Sequence, residues 1–365
     1  MRCEGRVLGD LLSDAEAGSR LSEEDCRAIF SVQGQDLWRV ARVADVRRAR
    51  VVGEEVTFVR NQNLNVTNVC RNACGFCGFS RGRDDPESFR LGEAEIKSRA
   101  AVAKSRGVTE ICTVSGLHPD FTLSSYLEIY SWIREAAPGV HIHAANPMEV
   151  AYAASQSGVS TEDALIAMKG AGLGSLCGTA AEILDDAVRQ KICPGKVRTD
   201  EWVRIIREAH TLGIPSTATI MYGHCEGLAE WAAHLRILRD IQDETGGFTE
   251  FVPLSFIHHN TRLFRDGQAR AGATGREDLL MVAVARLFLD NIRNIQVSWV
   301  KVGVKMAQLL LAAGGNDLGG TLYEERISKS AGASDTDYLA PEEMARIVGD
   351  LGRPIKERTT LFAAV

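Results

Sequence analysis

Proline is scarce in this 365-residue chain, at 9 residues, and aromatic side chains make up only 6% of it. The scarcity leaves no proline-rich linker to divide the chain. There is also no low-complexity tract and no internal repeat, so a solenoid is excluded. Long apolar runs are missing too. None approaches the roughly 18–20 residues that cross a bilayer as a helix, and no membrane partner is expected. An excess of positive charge is absent: 42 Lys and Arg stand against 48 Asp and Glu, a formal net charge of -6. That removes the basic footprint of a protein held to nucleic acid by phosphate contacts. The start, Met1-Arg2-Cys3-Glu4-Gly5-Arg6, leads into a mixed charged stretch with no apolar core, so no secretory leader is expected. What is present, 45% hydrophobic and 25% charged residues, suits an ordered core. The expectation is a soluble, cytoplasmic protein.

Nine cysteines are many for such a chain. A disulfide framework belongs to small secreted domains, and this sequence fits none of those terms. Cys3, Cys26, Cys112, Cys177, Cys193 and Cys225 are scattered and read as small buried hydrophobes or inert thiols. Cys70, Cys74 and Cys77 crowd into one octet.

Short β-rich runs recur at residues 64–69, 110–114, 140–145, 175–178, 217–222, 249–256, 295–302 and, weakly, 319–322. Amphipathic stretches separate them. Trp202, Ile205, Ile206, Ala209 and Leu212 fall on one helical face, as do Leu228, Trp231, Leu235 and Leu238. Residues 278–292 read as a nearly all-apolar helix. Such alternation marks βαβ units and a parallel sheet. Eight strands fit an α/β fold of the (β/α)8 TIM-barrel type; six or seven would leave it partly open. The expected organisation is an N-terminal helical extension over 1–50, a barrel over 51–333 and a C-terminal helical tail over 334–365. In the extension, Ser22-Glu23-Glu24-Asp25 reads as a capped helix start. Function should sit at the C-terminal ends of the strands.

The octet Cys70-Arg-Asn-Ala-Cys74-Gly-Phe-Cys77 has the spacing C-x3-C-x2-C and falls just after the first expected strand. Grouped thiolates suit iron–sulfur clusters or zinc. Structural zinc closes with four ligands, and the next candidates, Cys112 and His118, are distant in sequence. A [4Fe–4S] cluster on three cysteines would leave one iron open. A zinc knuckle or three buried cysteines are the alternatives.

This octet, with Phe76 before its last cysteine, resembles the signature of the radical S-adenosylmethionine (SAM) superfamily. The resemblance implies a [4Fe–4S] cluster on Cys70, Cys74 and Cys77, with SAM on the open iron. It also implies SAM contacts at Phe76, at Gly116 after the second strand, and at Thr179 and Glu182 after the fourth. Gly223 and Glu226 partly match the superfamily's G-x-I-x-G-x-x-E.

Longer strings narrow the resemblance. Asn65-Val-Thr-Asn68, Pro147-Met-Glu-Val150, Gly178-Thr-Ala-Ala-Glu182, Thr245-Gly-Gly-Phe-Thr-Glu-Phe-Val-Pro253 and Gly315-Asn-Asp-Leu-Gly-Gly-Thr321 resemble the 5-amino-6-(D-ribitylamino)uracil–L-tyrosine 4-hydroxyphenyl transferase family, the CofH-type half of FO synthase. One departure is Cys177, where that family leads one to expect proline. The resemblance implies transfer of the 4-hydroxybenzyl group of L-tyrosine to the ribitylaminouracil, with release of 2-iminoacetate, methionine and 5′-deoxyadenosine. This is a step toward the deazaflavin FO of coenzyme F420. It further implies a separate ring-closing FO synthase subunit (subunit 1) and a low-potential electron donor. Aminofutalosine synthase and dehypoxanthine futalosine cyclase share the octet and parts of the strings. A non-catalytic iron–sulfur redox protein would instead complete its cluster with a fourth cysteine.

Substrate recognition needs polar groups at strand ends. The candidates are Asn65, Asn68, His118, Asn316, Asp317 and Thr321. His141 and His143 share one strand face, and Glu250 lies in the sixth strand. Lys301 and Lys305, beside the seventh, meet a carboxylate or stay at the surface. His258-His259 reads as solvated loop. No catalytic acid or base is assignable from the sequence.

Overall fold

The structure is a computed structural model that describes residues 2–3, 6–333 and 338–365. The side chain of Cys3 and the expected boundary at 333/334 lie outside the described residues.

Six strands run parallel in chain order: Asn61–Asn63, Glu110–Thr113, His141–Ala144, Leu173–Leu176, Ser216–Tyr222 and Phe248–Ser255. A second sheet sets Val56–Val59 between Asp317–Gly320 and Ile355–Arg358, again all parallel. Single parallel bridges join the sheets, Phe251 to Ile295, Gln296 to Asp317, and Gln62 to Tyr323. The ring therefore closes, but the two sheets meet through isolated bridges, at Ile295–Gln296 and at Gln62–Tyr323, rather than through continuous ladders. This is the TIM-type barrel the alternation predicts.

Three strand readings move. The first strand lies earlier than 64–69, at Val56–Val59 and Asn61–Asn63. Val56–Val59 is a short apolar run, but the cavity-lining positions of Asn61–Asn63 are asparagines, so that segment lacks the apolar signature of a buried strand. Residues 64–69 instead form the loop above it. The run at 295–302 pairs only at Ile295 and Gln296, then winds into the short helix Trp299–Val302. The Trp299 indole anchors that turn by donating to the Gly320 carbonyl at 2.9 Å, and tertiary contact overrides β propensity. In the C-terminal region a helix, Pro341–Gly349, is followed by the strand Ile355–Arg358. Backbone pairing with Val56–Val59 holds that strand.

The helices follow their patterns. Leu228–Thr245 ends at Gly246 in a left-handed cap. Gly275–Phe288 is buried at every position from Asp278 onward. It is sandwiched because Asp36–Val52 of the N-terminal extension packs against it from outside. Glu23–Phe30, started by a Ser22–Asp25 capping box, docks against Leu228–Thr245. There Phe30 meets Trp231 edge-on at 5.2 Å. Fully burying one such ring contributes about 1.5–3 kcal/mol, which fastens the extension to the barrel.

Candidate active site in the barrel

A cavity of about 400 Å³ occupies the barrel interior, with Cys70, Cys74 and Cys77 in its wall. The cysteine loop is fixed by its backbone rather than by its thiols. The Gly75 N–H donates to the Ile192 carbonyl at 2.9 Å, the Leu263 N–H to Gly75 at 2.8 Å, and the Cys70 N–H to Arg81 at 3.1 Å. All three thiols are free. Burial pushes the Cys74 thiol up, to about 12, against the pull of Lys196.

Two glycines let neighbouring loops close in. A Cβ on Gly116 would lie 2.4 Å from the Val69 carbonyl oxygen, so the loop after Glu110–Thr113 reaches the cysteine loop only as glycine. A Cβ on Gly178 would lie 1.9 Å from the Thr217 carbonyl oxygen. Beyond Gly178, Ala180 and Glu182 adopt left-handed φ values of 66° and 45°. Strained non-glycine backbone of this kind concentrates at functional sites. It delivers Glu182 into the cavity wall, where Lys196 binds its carboxylate. Burial alone would lower the Lys196 ammonium, but Glu182, Cys74 and Cys193 hold it above the usual lysine range. The same ammonium stands 5.1 Å above the Phe76 ring.

The wall also carries buried polar atoms with no protein partner: Asn63 Oδ1, Asn65 Oδ1, Glu149 Oε2 and Thr179 Oγ1. Such orphans are expensive in a closed core and mark places where a ligand supplies the partner. Burial raises the Glu149 carboxyl to about 8, against the Ser115 N–H and Lys196, so it is protonated at neutral pH. Lys301 faces the cavity from the short helix rather than from a strand, and burial lowers its ammonium.

Of the residues singled out in the sequence, the cavity wall gathers Cys70, Cys74, Cys77, Phe76, Gly116, Thr179, Glu182 and Asn65. Most of the others are used structurally. Glu226 turns back, accepting from the Gly223 N–H at 2.5 Å and the Trp231 indole at 2.9 Å, so neither Gly223 nor Glu226 lines the cavity. Asn68 is saturated by Glu87 and Phe89. His118 accepts from the Asp120 N–H and stacks on Phe121. Asn316 is held by Arg286, Ile295 and Asn294, and the Thr321 hydroxyl is shared with the Asn61 backbone. Asp317 binds Arg358. Glu110, Lys196, Gln296 and Arg358 reach the cavity without any local motif to announce them, while Glu149 comes from the string at residues 147–150. His143 and Glu250 do line it, while His141 shares the Ser175 hydroxyl with His143. Cys112 and Cys177 are wall residues too, unlike the inert thiols expected. His258 and His259 stack on each other in a partly exposed loop.

Comparison with known proteins decides the family. A radical SAM superfamily model matches residues 64–238, and the CofH/MqnC C-terminal region matches 245–352. The 5-amino-6-(D-ribitylamino)uracil–L-tyrosine 4-hydroxyphenyl transferase of Methanosphaerula palustris is 66% identical over 99% of this chain and 99% of its own. This chain belongs to that transferase family. The family's Methanocaldococcus jannaschii member is 46% identical over 94% of this chain and 96% of its own. FO synthase of Mycobacterium tuberculosis is 42% identical over 99% of this chain, a match covering 42% of that longer protein. The hydrogenase maturase HydG of Carboxydothermus hydrogenoformans superposes with a TM-score of 0.78 at 17% identity, over 97% of this chain and 80% of its own. Methylornithine synthase gives 0.75 at 18%, over 94% and 97%. Those two likenesses are of fold alone.

Like the rest of its family, the chain is a radical SAM enzyme, which implies a [4Fe–4S] cluster and SAM. The residues present fit both groups. Cys70, Cys74 and Cys77 are free thiols in one cavity wall, the donor chemistry that an iron–sulfur cluster takes. The unpartnered Asn65, Glu149 and Thr179 atoms suit the amino, carboxylate and hydroxyl groups of SAM.

Proposed function

We propose that this chain joins the 4-hydroxybenzyl group of L-tyrosine to C5 of 5-amino-6-(D-ribitylamino)uracil, releasing 2-iminoacetate, methionine and 5′-deoxyadenosine. The observation that carries the proposal is the three-thiol loop on a polar-lined barrel cavity, in a chain 66% identical to a transferase of that name.

Cys70, Cys74 and Cys77 would hold the cluster and leave one iron for SAM. When bound, the reduced cluster and SAM supply the radical that takes a hydrogen atom from tyrosine. Thr179 and Glu182 bind the hydroxyls of SAM, with Lys196 keeping the Glu182 carboxylate ionised and aimed. Protonated Glu149 and the Asn65 amide serve as neutral hydrogen-bonding partners within the cavity. Lys301 receives a substrate carboxylate. Met221, Val252, Leu254, Phe256 and Trp299 line the cavity with apolar surface that keeps water from a reactive fragment.

Ring closure to FO is a second reaction, outside the one C-x3-C-x2-C octet of this chain, and a separate ring-closing FO synthase subunit would supply it. A low-potential donor must reduce the cluster, and the reducing cytoplasm suits it. The reading is tested by incubating anaerobically reconstituted protein with dithionite, SAM and tyrosine, adding either the ribitylaminouracil or dehypoxanthine futalosine. Coupled product only with the first supports the transferase; turnover only of the second would replace it with the menaquinone-branch activity.

A further inference from the structure

The lower end of the cavity is built differently from its cysteine-bearing mouth. Glu110, Glu250, Gln296 and Arg358 all face into it, and Asn63 stands above them with its Oδ1 unpartnered. Arg358 comes from the C-terminal strand and closes the floor. It lies beyond residue 352, where the match to the CofH/MqnC C-terminal region ends. Its guanidinium donates to Asp317 at 2.5 and 3.0 Å and to Glu250 at 3.3 Å, while Gln296 donates to Glu250 at 3.1 Å. Asn61 donates to Glu110 at 3.1 Å.

Asp317 and Glu250 thus share one guanidinium with Glu110 buried beside them; burial raises Glu250 to about 7 against the pull of Arg358, and His143 next to them is held towards its neutral form by burial. A floor of this kind repels a carboxylate or phosphate, because the one cation present is already engaged. The α-carboxylates of tyrosine and SAM are therefore kept toward the mouth, where Lys196 and Lys301 stand. Hydroxyl groups suit the floor, since each both donates to a carboxylate and accepts from an amide.

We propose that this acidic floor is the subsite for the polyol chain of the acceptor substrate, with Glu250 its central hydrogen-bond acceptor and Arg358 its positioning residue. The proposal rests on the transferase reading for the identity of that acceptor. The chain hydroxyls bind at the floor, and the uracil ring lies on the mouth side of them.

The test uses the reconstituted holoenzyme and two acceptors, 5-amino-6-(D-ribitylamino)uracil and its 6-ethylamino counterpart, which lacks the hydroxyls. Equilibrium dialysis gives their binding, and kinetics give KM for each acceptor and for tyrosine. The wild type should prefer the ribityl compound by about tenfold or more, as expected for charge-assisted hydrogen bonds. Glu250→Gln, which keeps shape but replaces the accepting carboxyl with an amide, should bring that preference close to one and raise the KM for the ribityl acceptor but not for tyrosine. No wild-type preference, an unchanged preference in Glu250→Gln, or a shift in tyrosine KM instead would overturn the subsite. Selective binding of the ribityl compound without coupling to tyrosine would uphold the subsite and sink the transferase reading.

Discussion

Arg358 grips Asp317 through two hydrogen bonds, Nε to Oδ2 at 2.5 Å and Nη2 to Oδ1 at 3.0 Å. The pair joins the C-terminal strand to the strand that closes the barrel, and both side chains are at most 3% exposed. Thr57 also binds the Asp317 carboxylate, at 2.5 Å. The pair is therefore an architectural joint as well as the floor of the cavity.

Removing the guanidinium leaves Asp317 and Glu250 buried without a counter-charge. Arg358→Ala should cost about 3–5 kcal/mol in urea unfolding, the range for breaking one side of a buried pair. Arg358→Lys, which keeps the charge but loses the fork, should cost less. A loss under about 1 kcal/mol for the alanine variant would mean that water replaces the pair.

Thr179 presents a buried hydroxyl with no protein partner. Thr179→Val should leave the melting temperature unchanged or slightly raised, because no internal hydrogen bond is lost. SAM affinity of the reconstituted protein should nonetheless fall about tenfold. Unchanged SAM affinity in equilibrium dialysis would show that the hydroxyl serves no ligand.

His210 bridges the Thr245 hydroxyl at 2.7 Å and the Ser216 hydroxyl at 2.8 Å, and burial pushes its pKa down to about 4. Below pH 6.5 the unfolded chain takes up a proton that the folded chain refuses until about pH 4. Stability from this group is therefore complete above pH 6.5 and declines on acidification, by about 2 kcal/mol at pH 5. His210→Gln should be less stable at pH 7 yet lose less between pH 7 and 5. An unchanged slope in unfolding experiments would place the acid sensitivity elsewhere.

Cys70→Ala, Cys74→Ala and Cys77→Ala should each abolish the iron–sulfur absorbance and iron content of the reconstituted protein. Cys225→Ala, outside the cavity wall, should retain both. Full iron loading in any octet variant would remove that cysteine from the ligand set.

What the sequence disclosed was chiefly what is local. The octet is one loop, so its spacing carried its chemistry directly. Thr245-Gly246-Gly247 was readable as a helix end, and its second glycine proves to make room for His210, whose ring would lie 2.2 Å from a Cβ there. Motif spacing does not carry orientation. Gly223 and Glu226 kept the superfamily spacing, yet the carboxylate closes its own turn. Asn316 and Asp317 sit in a family string because they tie strands together. The first strand was misplaced because Val56–Val59 is short and the lumen-facing positions after it are Asn61 and Asn63, whose polarity hides a buried strand. Arg358 was invisible as a site residue, since its place depends on a strand pairing formed nearly 300 residues away in sequence. Only the closed barrel brings it to the floor.

The most direct test of the central claim follows ring-labelled [13C6]tyrosine through one anaerobic incubation with SAM, dithionite and the ribitylaminouracil. The account predicts a coupled product carrying all six labelled carbons, formed together with unlabelled 2-iminoacetate and 5′-deoxyadenosine. Deoxyadenosine formation in which the ring label remains in tyrosine would contradict it.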